Sequence, residues 1–173
     1  GVKLPGLRSM REAAIAYGCD TIEVERINSG TSLERIRALQ PELIVVANFS
    51  QILKPPILAI PRKGCINVHP SLLPAYRGPT PCYWVLANRE STTGVTVHYV
   101  DAGIDSGDII AQRRIPIRPS DSALSLRNTT ASVGAELVVE AVQQIARGTV
   151  TPRAQDEARA SYYSFPPRGV SVL

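Results

Sequence analysis

The segment Asn67-Val68-His69-Pro70-Ser71-Leu72-Leu73-Pro74 places an amide and an imidazole two residues apart at the end of an apolar run. On an extended backbone, residues two apart point to the same side, so Asn67 and His69 are expected side by side. The two prolines end the strand and hold an irregular loop beside it. With the carboxylate of Asp105 in reach, these side chains are the parts that proton-coupled acyl transfer needs.

Length and composition indicate one globular domain with its own core. The chain has 173 residues, 44% hydrophobic and 20% charged, with a net charge of +4 that permits an anionic substrate or RNA without arguing for one. The longest apolar run, 43–47, has the length of a strand, and no signal peptide is visible. Three widely spaced cysteines show no metal-ligand spacing, so they favour a reducing cytoplasm and predict no metal site. Because the apolar runs are short, no membrane partner is predicted.

Hydrophobic spacing predicts helices that alternate with strands. The predicted helices cover 7–17, 33–39, 55–61, 80–88 and 121–147, and the predicted strands cover 21–25, 43–47, 65–69, 94–100 and 109–117. The unbroken run 43–47 is typical of a strand buried on both faces. We therefore predict an α/β fold with a mainly parallel, twisted sheet flanked by helices, in which ligands bind beyond the carboxyl ends of the strands.

Simpler explanations exist for the individual polar residues. A single histidine such as His69 near a strand end is more often structural than catalytic, and aspartates near Asp105 are ordinary turn formers. Alternation places His98 on one face with Thr96 and Val100, which favours a structural strand residue. Ser71 is interpreted as a tether for the loop backbone rather than a nucleophile. The hypothesis of a catalytic site therefore depends on the set and not on one member.

Three separated motifs carry a resemblance to a known family. They are Asn67-x-His69-Pro70-Ser71-Leu72-Leu73-Pro74-x-Tyr76-Arg77-Gly78, then Thr93-Gly94-Val95-Thr96-Val97-His98, then Gly103-Ile104-Asp105-Ser106-Gly107-Asp108-Ile109-Ile110. In order and spacing they resemble the folate-dependent formyltransferases of one-carbon metabolism, from about residue 33 to 152. That family includes glycinamide ribonucleotide formyltransferase, methionyl-tRNA formyltransferase, amino-sugar N-formyltransferases and formyltetrahydrofolate hydrolase. The resemblance implies an enzyme with the Rossmann-like formyltransferase fold.

The resemblance also implies the donor and the site residues. The donor would be 10-formyltetrahydrofolate, and the family's catalytic Asn, His and Asp fall on Asn67, His69 and Asp105. The implied folate-binding residues are Phe49, Gln51, Ile52, Leu53, Val100, Asp101, Gly103 and Ile104. The implied substrate-binding residues are Ser71, Tyr76, Arg77 and Gly78. Apolar walls with free loop backbone groups suit a flat heterocycle.

These roles suggest a mechanism. A neutral primary amine attacks the formyl carbon, and the oxyanion is stabilised by the Asn67 amide and a protonated His69. Asp105 keeps His69 charged and helps move a proton from the amine to the departing folate nitrogen.

The acceptor is left open. Residues 77–86 and 95–101 resemble the amino-sugar enzymes, which favours a small amine such as a nucleotide-linked amino sugar. Methionyl-tRNA is the alternative acceptor, with tRNA as partner; a 10-formyltetrahydrofolate hydrolase or an inactive folate-binding homologue are others. No oligomeric state is predicted.

The family pattern begins with a strand, a helix and a second strand that this chain does not contain. We therefore predict an N-terminally incomplete catalytic domain over 1–150, followed by a C-terminal tail or the start of a further segment over 151–173, with a possible strand at 169–173.

Overall fold

A computed structural model describes residues 9–167 of the chain. The predicted strand at 169–173 and the start of the predicted helix at 7–17 lie outside this range. The elements, in chain order, are α1 (Met10–Ala16), α2 (Gly30–Ala38), β1 (Ile44–Ala47), α3 (Pro55–Leu58), β2 (Cys65–His69), α4 (Pro81–Ala87), β3 (Thr92–Tyr99), β4 (Ile109–Pro116) and α5 (Ala123–Arg147). A short 3₁₀ turn, Glu157–Arg159, follows.

The four strands form one open sheet in the order β1-β2-β3-β4. Helices flank this sheet, so the predicted α/β class is confirmed. The predicted predominance of parallel pairs is not found among the described strands, because β1–β2 is parallel while β2–β3 and β3–β4 are antiparallel. Parallel neighbours need a crossover, whereas the loop 100–108 turns the chain straight back from β3 into β4.

Apolar residues on the two faces of the sheet build separate cores. On one face, Ile66, Val95 and Val97 pack against Leu137 and Ala141 of α5. On the other face, a cluster joins β1 and β2 to α2, α3 and the loop before α3; its buried members are Leu53, Ile57 and Cys65. Neighbouring residues of a strand point to opposite faces, which is why Cys65 and Ile66 belong to different cores.

Two details of the predicted strands differ from the structure. Val45 is 45% exposed, so β1 is not buried on both faces; it lies at the edge of the described sheet. Residues 21–25 form no strand, because they pair with no neighbour in the described chain. Instead the Gln51 side chain accepts from Ile27 N at 2.9 Å and donates to Glu25 O at 3.1 Å.

Helix α5 supports the strand that carries Asn67 and His69. It begins with a capping box at Ser122, one residue after the start of the predicted helix at 121. It ends at Gly148, whose φ of +68° is the left-handed conformation that glycine adopts without strain. A Cβ on Gly134 would lie 2.8 Å from Val68 Cγ1, so this glycine permits close packing of α5 beneath β2. No helix within residues 9–167 is both long and apolar enough to span a bilayer.

Candidate functional site

Asn67, His69 and Asp105 meet at the carboxyl-terminal part of β2, whose last residue is His69. Asn67 Nδ2 lies 3.3 Å from Asp105 Oδ1, and His69 Nδ1 lies 3.5 Å from Asp105 Oδ2. The strand pairing of β2 fixes the first two residues, since Asn67 stands opposite His98 and His69 opposite Thr96. The structure thus brings together the three side chains that the sequence singled out; their catalytic roles stay predictions.

The loop 100–108 places Asp105. Asp101 shapes the loop, since its Oδ1 accepts from Gly103 N at 2.9 Å and from Ser106 Oγ at 2.8 Å. A Cβ on Gly107 would collide with the backbone carbonyl of Tyr99, so the loop closes tightly onto β3. Asp105 itself has a φ of +51°, a conformation rare for residues other than glycine and often found at functional sites.

The Asp105 carboxylate is held in its ionised form. Burial alone would raise the pKa of Asp105, but His98, His69 and the Gly78 N–H lower it to about 2. The Gly78 N–H donates to Asp105 Oδ2 at 2.9 Å. A hydrogen bond to the charged form of an acid stabilises that form, so Asp105 carries a negative charge at neutral pH.

His69 is a buried imidazole whose pKa lies below the ordinary histidine value. The residue is 4% exposed, and burial lowers the pKa of His69 further than the charge of Asp105 raises it. His69 Nε2 lies 2.8 Å from the carbonyl oxygen of Tyr76. Because a carbonyl oxygen only accepts, Nε2 carries a hydrogen, and Nδ1 is the ring nitrogen that faces the Asp105 carboxylate.

The Asn67 amide is not a free donor in this structure. Its Nδ2 lies 3.3 Å from Asp105 Oδ1 and 3.3 Å from His98 Nε2. Both distances are long for N–H donors, which prefer about 2.9–3.0 Å. These weak bonds can be exchanged for a shorter, charge-assisted bond to an oxyanion.

His98 belongs to the site, although alternation assigned it a structural role on the strand. His98 Nδ1 donates to the carbonyl oxygen of Tyr99 at 2.7 Å, and Nε2 faces Asn67 and lies 3.6 Å from Asp105 Oδ1. The ring therefore orients the Asn67 amide. His98 could have been assigned to the site from its strand, because β3 pairs antiparallel with β2 and places His98 opposite Asn67. The mainly parallel sheet that the sequence predicted does not contain this pairing.

The predicted folate-binding residues fall into two groups. Leu53 is buried and packs in one cluster with Val100, which joins the loop after β1 to the loop after β3. Phe49, Ile52 and Ile104 remain 43%, 64% and 45% exposed. The side-chain amide of Gln51 forms hydrogen bonds to the backbone of Glu25 and Ile27. Asp101 and Gly103 shape the Asp105 loop.

The predicted substrate-binding residues are mostly occupied within the protein. Ser71 is fully buried, and its hydroxyl donates to Ala75 O at 2.7 Å, so that it tethers the loop backbone. The Tyr76 hydroxyl donates to Glu90 Oε1 at 2.6 Å. The Arg77 guanidinium binds Gln155 and Glu157. Gly78 serves the site through its backbone N–H.

Residues after α5 reach the site, and no sequence pattern predicted that they would. The Gln155 side chain contacts the backbone of the Asp105 loop, and Tyr163 stacks on Tyr76 with ring centroids 5.1 Å apart. This segment is polar, rich in proline and without hydrophobic periodicity, so no pattern predicted contacts for it. The boundary near residue 150 stays a prediction.

One family model matches most of the chain. Residues 21–142 match the family model described as formyl transferase. The chain belongs to the formyl transferase family. The matched range includes Asn67, His69 and Asp105, so the family resemblance carried by the three motifs is confirmed.

The curated relatives include bacterial methionyl-tRNA formyltransferases. The protein of that name from Trichlorobacter lovleyi is 40% identical over 153 residues, which cover 88% of this chain and 48% of the relative. The one from Synechococcus sp. is 46% identical over 130 residues, covering 75% of this chain and 40% of the relative. This formyl transferase chain thus spans about half the length of the curated relatives it matches.

Solved structures of the same fold include enzymes with other acceptors in their names. Glycinamide ribonucleotide transformylase 1 from Symbiobacterium toebii matches with a TM-score of 0.76 at 29% identity, covering 84% of this chain and 74% of that one. The N-formyltransferase from Helicobacter canadensis, in complex with folinic acid and dTDP-3-aminofucose, matches with a TM-score of 0.71 at 28% identity. That match covers 90% of this chain and 54% of that one.

Proposed function

We propose that the full-length protein transfers a formyl group from 10-formyltetrahydrofolate to a primary amine. The observation that carries the proposal is the convergence of Asn67, His69 and Asp105 on one point, with an ionised carboxylate beside a buried neutral imidazole. Perturbed titratable groups that converge in this way are typical of catalytic sites. Membership of the formyl transferase family supports the same reaction.

The folate would bind between the loop after β1 and the loop after β3. Phe49, Ile52 and Ile104 expose apolar surface on these loops, and the cluster to which Leu53 and Val100 both belong joins the two loops. A flat, mostly apolar wall with backbone groups along one side suits a pterin ring. The solved N-formyltransferase with folinic acid supports a folate on this fold.

Asn67 would stabilise the charge that develops on the formyl oxygen. As the amine nitrogen bonds to the formyl carbon, the carbonyl electrons move onto oxygen. The Asn67 Nδ2–H groups then exchange their long contacts to His98 and Asp105 for this oxyanion. Losing such a donor typically costs about 2.7–4 kcal/mol of barrier.

His69 and Asp105 would move the proton. The attacking amine must lose one proton, and the departing folate nitrogen must gain one. His69 Nδ1 is the vacant position, and a proton there would lie between the imidazole and Asp105 Oδ2. The negative charge of Asp105 stabilises the imidazolium for the short time that it exists.

The acceptor has two candidates with separate support. The identity to methionyl-tRNA formyltransferases, 40% over 88% of this chain, favours the amino group of methionyl-tRNA. The resemblance of residues 77–86 to amino-sugar enzymes, and the fold match to an enzyme bound to dTDP-3-aminofucose, favour a nucleotide-linked amino sugar.

The test is formyl transfer by the full-length protein from 10-formyltetrahydrofolate to each acceptor, with a reaction lacking acceptor as control. Transfer to one acceptor supports the proposal and identifies the amine. A tRNA acceptor should also bind with steep salt dependence, which a sugar nucleotide should not. Formate release at the same rate without any acceptor would instead indicate a hydrolase, and no reaction with a bound folate would indicate a binding homologue.

A further inference from the structure

The segment that follows α5 crosses both loops of the site. Arg153 forms a two-way backbone pair with Ile109, with N–O distances of 2.8 and 2.9 Å. Farther along, Arg77 N donates to Ser161 O at 2.8 Å, and Tyr163 N donates to Arg77 O at 2.9 Å. The segment that carries these anchors, which we name the strap (residues 151–163), is therefore fixed to the start of β4, next to the Asp105 loop, at one end and to the loop after β2 at the other.

Gln155 lies between the two anchors and uses its whole amide. Its Nε2 donates to Asp105 O at 2.8 Å and to Gly107 O at 2.8 Å. Its Oε1 accepts from Arg77 Nη2 at 2.8 Å and from Arg77 Nε at 3.2 Å. An amide side chain has two N–H groups and two lone pairs, so every hydrogen-bonding position of Gln155 is filled.

These bonds restrain Asp105 from both sides. The carbonyl bond from Gln155 holds the backbone of a residue whose φ is +51°, a conformation that costs free energy when nothing supports it. The Arg77 bond holds the residue next to Gly78, and the Gly78 N–H binds the Asp105 carboxylate at 2.9 Å. Gln155 thus restrains the backbone of Asp105 directly and the carboxylate of Asp105 through Arg77 and Gly78.

We propose that Gln155 is the positioning residue for Asp105 and that the strap is part of the catalytic unit. Gln155 acts through the backbone of residues 105–107 and makes no contact with the reacting groups. The inference rests on the proposed function, since it assigns Asp105 a role in the proton transfer. A shift of about 1 Å in a reacting group can cost on the order of 10²-fold in rate, which sets the scale of the effect.

Two substitutions distinguish positioning from simple attachment of the strap. Gln155→Glu keeps an acceptor for Arg77, strengthened by charge, and loses both donors to the loop carbonyls. Gln155→Leu loses the contacts on both sides. Gln143→Leu on the exposed face of α5 is the matched control.

The kinetic test uses the full-length protein and the acceptor on which it is active. We expect Gln155→Glu and Gln155→Leu both to lower kcat by on the order of 10²-fold, with the KM for the folate donor unchanged, while Gln143→Leu retains the wild-type kcat. Thermal melting of each variant shows whether a lower kcat results from unfolding or from a displaced Asp105. A Gln155→Glu variant with wild-type kcat would overturn the proposal, because its strap stays attached while the donors are gone.

A second readout does not depend on turnover. The negative charge of Asp105 raises the pKa of His69 against the effect of burial. If Gln155 places Asp105, the pKa of His69 followed by NMR should fall in Gln155→Leu, which adds no charge of its own; an unchanged titration in a folded Gln155→Leu variant would contradict the placement. Because this measurement needs no substrate, an inactive wild-type protein would refute the proposed function while the titration still decides the role of Gln155.

Discussion

Nδ1 of His69 lies 3.5 Å from Oδ2 of Asp105, while Nε2 of the same ring donates to the Tyr76 carbonyl oxygen at 2.8 Å. The ring is therefore oriented with Nδ1 toward a carboxylate. Burial lowers the pKa of His69. Asp105 stays ionised despite its own burial, because His98, His69 and the Gly78 N–H lower the pKa of Asp105. The pair can receive one proton, which is what an amine must lose when it becomes an amide.

Replacing Asn67 should affect the chemistry and leave the fold intact. We expect Asn67→Ala to lower kcat about 10²–10³-fold, because one donor to the oxyanion is lost. Its two contacts are long, so the melting temperature should change little. Asn128→Ala on the exposed face of α5 is the control. Steady-state kinetics with both substrates check this, and a variant with near-normal kcat would remove Asn67 from the mechanism.

The stability of the protein should depend on Asp105 at acid pH. Its pKa is about 2 in the folded protein, against an ordinary value of about 3.9. A lowered acid pKa contributes stability above the unfolded value, and that stability is lost as the pH falls from about 4 to about 2. The shift corresponds to on the order of 2 kcal/mol. Urea unfolding of wild type and Asp105→Asn at several pH values should show a steeper loss of stability in the wild type; equal slopes would argue against the paired carboxylate.

His69 should add a second acid-sensitive contribution at higher pH. Because burial lowers the pKa of His69, the unfolded chain binds a proton more readily than the folded one. Stability should therefore fall as the pH drops below about 6.5, the ordinary pKa of histidine. The same unfolding series on His69→Gln should lack this component, and a stability that rises on acidification through that range would mean that His69 is charged in the fold.

Gly78 should not tolerate a side chain. Its φ is +107°, and a Cβ would collide with the carbonyl oxygen of Tyr163 on the strap. We expect Gly78→Ala to lower the free energy of unfolding by more than about 1 kcal/mol, because the native conformation does not admit alanine. It should also weaken the bond between Gly78 N and Asp105. Gly30→Ala is the control, since nothing lies within 4 Å of its added methyl; equal effects of the two substitutions would contradict the tight contact.

The exposed apolar residues near the site should contribute to folate binding. Ile52 is 64% exposed, so Ile52→Ser should leave stability nearly unchanged. Loss of apolar burial against a pterin, about 1.5 kcal/mol, should raise the KM for the donor roughly tenfold with little change in kcat. Leu124→Ser, at a position 62% exposed on α5, serves as the comparison. An unchanged donor KM would place the folate elsewhere.

The sequence predicted the parts of the site that depend on local spacing. Asn67 and His69 share a strand, and their common side follows from alternation alone. The helices 55–61 and 121–147 were predicted from prolines, caps and periodicity, all of which act over a few residues.

The parts that were missed depend on contacts between distant segments. The role of His98 follows from its antiparallel pairing with Asn67. The sequence of one strand does not reveal whether its neighbour in the sheet runs parallel or antiparallel to it. Gln155 contacts Asp105 across fifty residues, from a segment with no periodic pattern. The lowered pKa of His69 was also missed, because it results from burial, which the sequence does not reveal.

The most direct test is a single-turnover assay of formyl transfer from 10-formyltetrahydrofolate by the full-length protein, with wild type and Asp105→Asn compared on methionyl-tRNA and on a nucleotide-linked amino sugar. We expect the wild type to formylate one of these amines and Asp105→Asn to bind folate equally well while transferring the formyl group at least about 10²-fold more slowly, in the range of general acid–base catalysis. Wild-type transfer that survives in Asp105→Asn would contradict the central claim that Asp105 and His69 move the proton.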